Sequence, residues 1–348
     1  MMVPGEEVLP EARGSRMSTK SMWARQLVGP EVFAEVDTAA PDVSSLAPGQ
    51  VLVRLITGGI CGSDLPHFKG STTLGQTIES GPVPHPVGSP LHEIVGEVLA
   101  SEDPDIRPGA VVVGWASSSN GLSEYVVTNG EGLFEYDQQF SPDIAVMLQP
   151  LACVIAASCR VPGVAGSHAA VIGQGPIGVL FSHVLKSAGA RTVTAVDRVD
   201  RSDVAAVFGV DNFVHSTADR WSASLTEESE RPNVIFETVG HQVSTMRDAV
   251  NALAMEGHIF YFGIPDDSIY PFPMVQFLRK NASLTSGLTR DRRRALSGAN
   301  DYLKEHPELV AAYVTDQFKV DDVQGAFDLA VRPAIGRLKV VINAGDWA

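Results

Sequence analysis

A thiol, an imidazole and a carboxylate fall near strand-like stretches in the first part of the chain. Cys61 lies in GGICGSD, His92 and Glu93 lie together in PLHEIVGEV, and Gln149 follows in MLQPLACV. Thiolate and imidazole are common Zn²⁺ ligands, and a catalytic zinc needs about three protein donors with one position open for water or substrate. Spacing alone leaves a second reading in place, in which Cys61 is a packing residue and the His-Glu pair does surface or capping work. A separate element, GQGPIG from Gly173 to Gly178, has the spacing G-x-G-x-x-G between a strand and a helix.

That loop suits a dinucleotide. Gly173 allows the tight turn, Gly175 lets the backbone approach a pyrophosphate, Gly178 lets the helix pack on the sheet, and the helix N-terminus offers free N–H groups to the anion. The next strand ends in Asp197. A carboxylate there accepts both ribose hydroxyls of NAD and repels the 2′-phosphate of NADP, whereas the adjacent Arg198 would favour the phosphate. NAD is the expected cofactor, with NADP second.

The positioning elements follow from hydrophobic period. QVLVRLIT alternates with period 2, HEIVGEVLA, PGAVVVGW and LSEYVVT read as further strands, and ASSSNG is a polar turn, so the first part is mostly β. From His168 the pattern changes. AAVIG is a short buried strand, GPIGVLFSHVLKSAGA a helix and TVTAVD a strand, which is a βαβ unit on a parallel sheet. VAAVFG continues as helix, NFVH and NVIFETVG as strands, STMRDAVNALAMEG as a helix closed by glycine, and HIFYFGIP as a strand. A helix from Asp291 to Glu305 and the terminal GRLKVVINA break the alternation and are expected to rejoin the β-rich part.

Composition excludes several classes. The 348 residues predict two domains. The balance of 26 basic against 41 acidic side chains, a net charge of −15, disfavours nucleic acid and anionic membranes as partners. The basic run Arg290, Arg292, Arg293 and Arg294 is expected on a solvated helix face. Three cysteines make no disulfide framework, and no apolar run approaches the roughly 18 residues of a membrane span, so a cytoplasmic protein is expected. Residues 1–19 lack an apolar signal region and read as a flexible extension.

GGICGSD, HE before IVGEV, QPLACV and GQGPIG with Asp197 occur in an order that resembles the zinc-dependent medium-chain alcohol dehydrogenases, especially the polyol and threonine dehydrogenase branch, from about Trp23 to Asn343. The resemblance implies an α/β fold. A β-rich GroES-like catalytic domain would take residues 20–150 and 290–348, and a Rossmann dinucleotide-binding domain residues 151–289. Cys61, His92 and Glu93 would hold the catalytic zinc, with Gln149 as the candidate fourth ligand, a neutral oxygen donor where many polyol enzymes carry glutamate. Ser63 would pass the alcohol proton outward, Asp64 would orient a zinc ligand, and His67 would serve as relay, one place later than usual because Pro66 occupies the customary position. Pro176, Ile177, Val239, Gly263 and Ile264 would join the glycines around the cofactor. Leu91 stands where relatives usually have glycine. The region from His92 to Gln149 holds no cysteine, so no structural zinc is expected, and Cys153 and Cys159 are expected to be packing residues. HIFYFGIP corresponds to a strand at the subunit interface of relatives, which predicts a homodimer or homotetramer. The implied activity is hydride transfer between NAD and a secondary alcohol of polyol, sugar or cyclitol type, with the ketone as the other small-molecule partner. The alternatives are a zinc-free enone or quinone reductase of the same fold and a nucleotide-binding homologue without catalysis.

Overall fold

A computed structural model describes residues 20–70, 84–265 and 267–345; the extension expected over residues 1–19 lies outside them. The strand Gln50–Gly59, whose side chains are almost all buried, is the centre of a seven-stranded sheet. It pairs antiparallel with Glu93–Ser101 on one side, with Lys339–Asn343 on the other, and with Tyr125–Asn129. Val111–Trp115 and Leu133–Glu135 extend the sheet beyond Glu93–Ser101, and Val314–Lys319 extends it in parallel beyond Lys339–Asn343. The C-terminal segment therefore closes the sheet that the first half of the chain opens.

The second sheet has six strands, all parallel, in the spatial order Asn212–His215, Thr192–Asp197, His168–Ile172, Val234–Glu237, His258–Tyr261, Ser283–Ser286. Strand order reverses between His168–Ile172 and Val234–Glu237, and in such doubly wound sheets ligands bind at that switch, outside the carboxyl ends of the strands. The helix Leu148–Ser158 joins the two halves. Its Leu148, Leu151, Ala152 and Val154 are buried in one apolar cluster with Val95 and Val113 of the first sheet and Ala169, Val171 and Phe236 of the second. No helix among the described residues is long and apolar enough to cross a membrane.

Four local expectations are corrected. VAAVFG lies in consecutive turns over residues 202–209 and not in a helix. Gly209 at φ +68 ends the segment while Phe208 is buried beneath it. STMRDAVNALAMEG is helical only over Val243–Ala252, with Leu253 extended, so Gly257 is not its cap. Strand His258–Tyr261 is interior, flanked by Val234–Glu237 and Ser283–Ser286, so it cannot itself supply the sheet edge expected of HIFYFGIP. The basic run is not simply solvated. Arg293 pairs with Asp103 and Asp105 and donates to Gly130 O, and Arg292 sits 5.1 Å from the Trp115 ring, which ties the helix Arg292–Glu305 to the first sheet.

Candidate active site

The two sheets meet at a cleft of about 550 Å³. Cys61, Ser63, His92 and Gln149 line it from one side, and all ten residues expected at the cofactor line it from the other: Gly173, Gly175, Pro176, Ile177, Gly178, Asp197, Arg198, Val239, Gly263 and Ile264. The strand Gln50–Gly59 delivers Cys61 just past its end, and its neighbour Glu93–Ser101 delivers His92 and Glu93 at its start. The antiparallel register places Gly59 opposite Glu93, so residues more than thirty apart in sequence arrive together.

One ligating atom each from Cys61, His92 and Glu93 lies within 4.8 Å of the other two. Asp64 sets this geometry from behind. Its Oδ1 lies 2.8 Å from His92 Nδ1 and its Oδ2 accepts from Cys61 N at 2.8 Å, which leaves His92 Nε2 free to face a metal. Burial opposes a charge on His92, but the charge and hydrogen bond of Asp64 and the nearby Cys61 outweigh it and hold the imidazole well above its usual range. Glu93 is fully buried and neither carboxylate oxygen has a hydrogen-bond partner among the described residues; Oε2 has only the charge of Lys339 Nζ, 2.5 Å away, and Oε1 has no such charge beside it. An orphaned carboxylate oxygen beside a thiol and an oriented imidazole is a donor set that fits Zn²⁺.

Lys339 was not legible as a site residue. It is 1% exposed and donates to Ile60 O at 2.9 Å, so it fixes both the Cys61 loop and Glu93 from a strand that returns at the far end of the chain. Its only signal is a lysine at the head of a mostly apolar strand, in GRLKVVINA. Leu91, the departure from the usual glycine, is accommodated by a glycine elsewhere. A Cβ on Gly58 would lie 2.3 Å from Leu91 Cδ2, so the bulk lost at one position is taken up at the other.

His67 does not line the cleft. It is 8% exposed, its ring packs edge-on against His85 at 6.0 Å, and burial lowers its pKa against the pull of Asp64. Ser63 does line the cleft, so of the two expected proton carriers only the hydroxyl has access to it. Cys153 is also at the cleft rather than purely in packing: it lies one helical turn beyond Gln149, whose Nε2 is 3.9 Å from its Sγ, and burial pushes its thiol up to about 11. The i, i+4 spacing of Gln149 and Cys153 on one helix was the available signal.

On the other wall, Gly173 adopts φ +94, and a Cβ on Gly178 would lie 1.9 Å from Gly173 O, so both positions require glycine. A Cβ on Gly175 would meet no atom within 4 Å and would project into the open cleft, which is the space a pyrophosphate needs. Asp197 accepts from Gln174 N and, at 2.7 Å, from Val199 N, so its carboxylate is fixed at the strand end. Arg201 is buried and donates to Gln174 O, Ala334 O and Arg337 O, which joins this loop to the C-terminal segment. Glu237 is fully buried beneath the neighbouring loop and accepts from Val239 N and Gly240 N.

Two family models match the chain, the alcohol dehydrogenase GroES-like domain over residues 47–172 and the zinc-binding dehydrogenase domain over residues 176–305. Among curated proteins the chain is similar to (R,R)-butanediol dehydrogenase of Bacillus subtilis, 29% identical over 60% of this chain and 69% of that protein. It is also similar to L-idonate 5-dehydrogenase (NAD(P)(+)) of Escherichia coli, 25% identical over 75% of this chain and 84% of that protein. The fold matches alcohol dehydrogenase TADH from Thermus sp. ATN1 with a TM-score of 0.77 at 23% identity, covering 93% of this chain and 100% of that one. With both halves matched in order around one cleft, the chain belongs to the zinc-dependent medium-chain alcohol dehydrogenase family.

Proposed function

We propose that this enzyme is an NAD-linked dehydrogenase of a secondary alcohol of polyol, sugar or cyclitol type, with one catalytic zinc held by Cys61, His92 and Glu93. The observation that carries the reading is the convergence of these three donors, within 4.8 Å of one another, on the cleft that the glycine loop lines from the opposite wall. A zinc-free reductase has no use for such a donor set. When bound, zinc supplies Lewis acidity to the alcohol oxygen and the nicotinamide supplies the hydride acceptor.

The chain's own residues do the rest. Asp64 fixes the rotamer and tautomer of His92 through Nδ1 and holds the Cys61 loop through its backbone N–H. Lys339 holds Glu93 by one oxygen, leaving the other to the metal. Ser63 takes the hydroxyl proton at Oγ and passes it along the cleft. Gly173, Gly175 and Gly178 with the N-terminus of the helix Pro176–Ser187 seat the pyrophosphate, and Asp197 takes the ribose hydroxyls, which favours NAD over NADP. Relatives named for butanediol and idonate act on secondary alcohols, which supports the substrate class.

A second copy of the chain fits the free edge of the six-stranded sheet. Leu284 on the edge strand Ser283–Ser286 and Leu278 on the preceding helix Met274–Arg279 are 44% and 71% exposed, and exposed apolar side chains at a free edge are a liability unless covered. Light scattering that gives a monomer at micromolar concentration would remove this part of the proposal. The activity is tested by a screen of polyols, sugars and cyclitols with NAD and NADP, following the reduced nicotinamide. Reduction of NAD that disappears in Cys61→Ser is the expected result, and turnover that survives this substitution refutes the assignment.

A further inference from the structure

His183, His306 and Glu308 form a second group of donors far from the chemistry of the cleft, none of them lining it. His183 lies on the helix Pro176–Ser187 of the nucleotide-binding half. His306 follows the helix Arg292–Glu305, Pro307 caps the next one, and Glu308 opens the helix Glu308–Tyr313. The Pro307 link holds the two donors on one side, facing His183. Glu308 Oε1 is 3.2 Å from His183 Nε2 and 3.1 Å from His306 Nδ1, and one ligating atom from each residue lies within 4.8 Å of the others.

We infer that His183, His306 and Glu308 are a second metal site, of His₂Glu type, for a borderline divalent cation such as Zn²⁺, Co²⁺ or Ni²⁺. Three donors around a tetrahedral zinc with bonds of 2.0–2.1 Å stand about 3.3 Å apart, and the two contacts of Glu308 already have that spacing. The supporting shell is also present. His183 Nδ1 is 2.7 Å from Tyr302 Oη, so the ring can donate there and turn the lone pair of Nε2 toward the metal. His183 is buried, with an 8% exposed side chain, whereas the side chains of His306 and Glu308 are 26% and 45% exposed. One side is thus closed by protein, and the other is open for entry of the ion and for a water in the fourth position. Imidazole and carboxylate select this class of metal over Mg²⁺ or Ca²⁺, which prefer all-oxygen shells. The ion would clamp the nucleotide-binding half to the segment that leads into the strand Val314–Lys319.

The rival reading is a hydrogen-bonded latch that never takes a metal. Titration of the full-length protein, first stripped of metal by a chelator, with Co²⁺, followed by its visible absorption, separates the two. Wild type should take up one equivalent with a thiolate charge-transfer band and one further equivalent without it, and Cys61→Ser should retain the latter. His306→Ala and Glu308→Ala, both at a partly exposed helix junction, should abolish it, and Tyr302→Phe should weaken it about 10- to 100-fold. Absence of a further equivalent in the wild type, or an equivalent that survives both His306→Ala and Glu308→Ala, overturns the site.

Discussion

Replacing Glu237 by glutamine should change how stability depends on pH, because this carboxyl is fully buried at the end of the strand Val234–Glu237. Burial pushes it up from 4.5 to about 7, against the hydrogen bonds of Gly240 N–H, Thr245 and Val239 N–H. Between those two values the folded chain keeps a proton that the unfolded chain releases, so the contribution is fully present below 4.5 and is lost as pH rises through 7. At about 1.4 kcal/mol for each tenfold change in the proton equilibrium, the whole effect is about 3 kcal/mol, of which about 2 kcal/mol falls between roughly pH 5.5 and pH 8. The lower limit stays above the sequence pI of 5.0, where solubility is poorest. Urea denaturation at fixed protein concentration should show wild type losing about 2 kcal/mol more than Glu237→Gln across that interval. The glutamine can impose a constant offset by altering the contacts with Val239 and Gly240, but a constant offset cancels in the difference. Stability curves that run parallel for the two proteins would show that the carboxyl is ionised in the folded state and that the reasoning from burial is wrong.

Asp64→Asn should weaken zinc retention or alcohol turnover about 10- to 100-fold, measured by metal analysis after chelator dialysis and by kcat/KM, because the amide no longer favours the His92 tautomer that faces the metal. Unchanged values would mean that Asp64 serves only the loop. Asp197→Ala should raise the KM for NAD about 10- to 100-fold with far less effect on NADP, from the loss of charge-assisted hydrogen bonds to the ribose; a wild type that already prefers NADP contradicts this. Gln149→Glu should keep zinc but move the alkaline limb of the alcohol-oxidation profile upward, since it adds negative charge beside the Cys61 and Glu93 donors. An unmoved profile with unmoved metal content would reduce Gln149 to a helix residue.

The parts of the molecule legible from the chain are those whose requirement is local. The turn at Gly173 and the close approach at Gly178 are satisfied within six residues, and TVTAVD ends in Asp197 as a strand of period and length that needs no distant partner to identify it. Cys61 and His92 were legible as residue types, but their meeting depends on the antiparallel register of two strands, which spacing does not encode. The hairpin Ser21–Gly29 with Val32–Ala39 was not anticipated, because its anchor is remote: Arg25 donates to Val320 O at 3.2 Å and pairs with Asp321 at 3.1 Å, nearly three hundred residues on. Arg293 was misplaced for the same reason, since a basic run looks solvated until Asp103 and Asp105 are folded against it.

Lys339 shows what this division implies for the chemistry. Two buried opposite charges, Lys339 and Glu93, are costly to desolvate unless their remaining polar atoms are also satisfied. Lys339 meets that condition through Ile60 O, but Glu93 does not, because neither of its oxygens has a hydrogen-bond partner among the described residues and only Oε2 has the ion pair with Lys339. A fold optimised for stability alone would gain by replacing the pair with apolar side chains. Its retention makes sense if the free oxygen is reserved for a cation that arrives after folding, with Lys339 preventing the carboxylate from turning away. The last strand of the chain thus places Lys339 between Glu93 and the Cys61 loop that the first strands present.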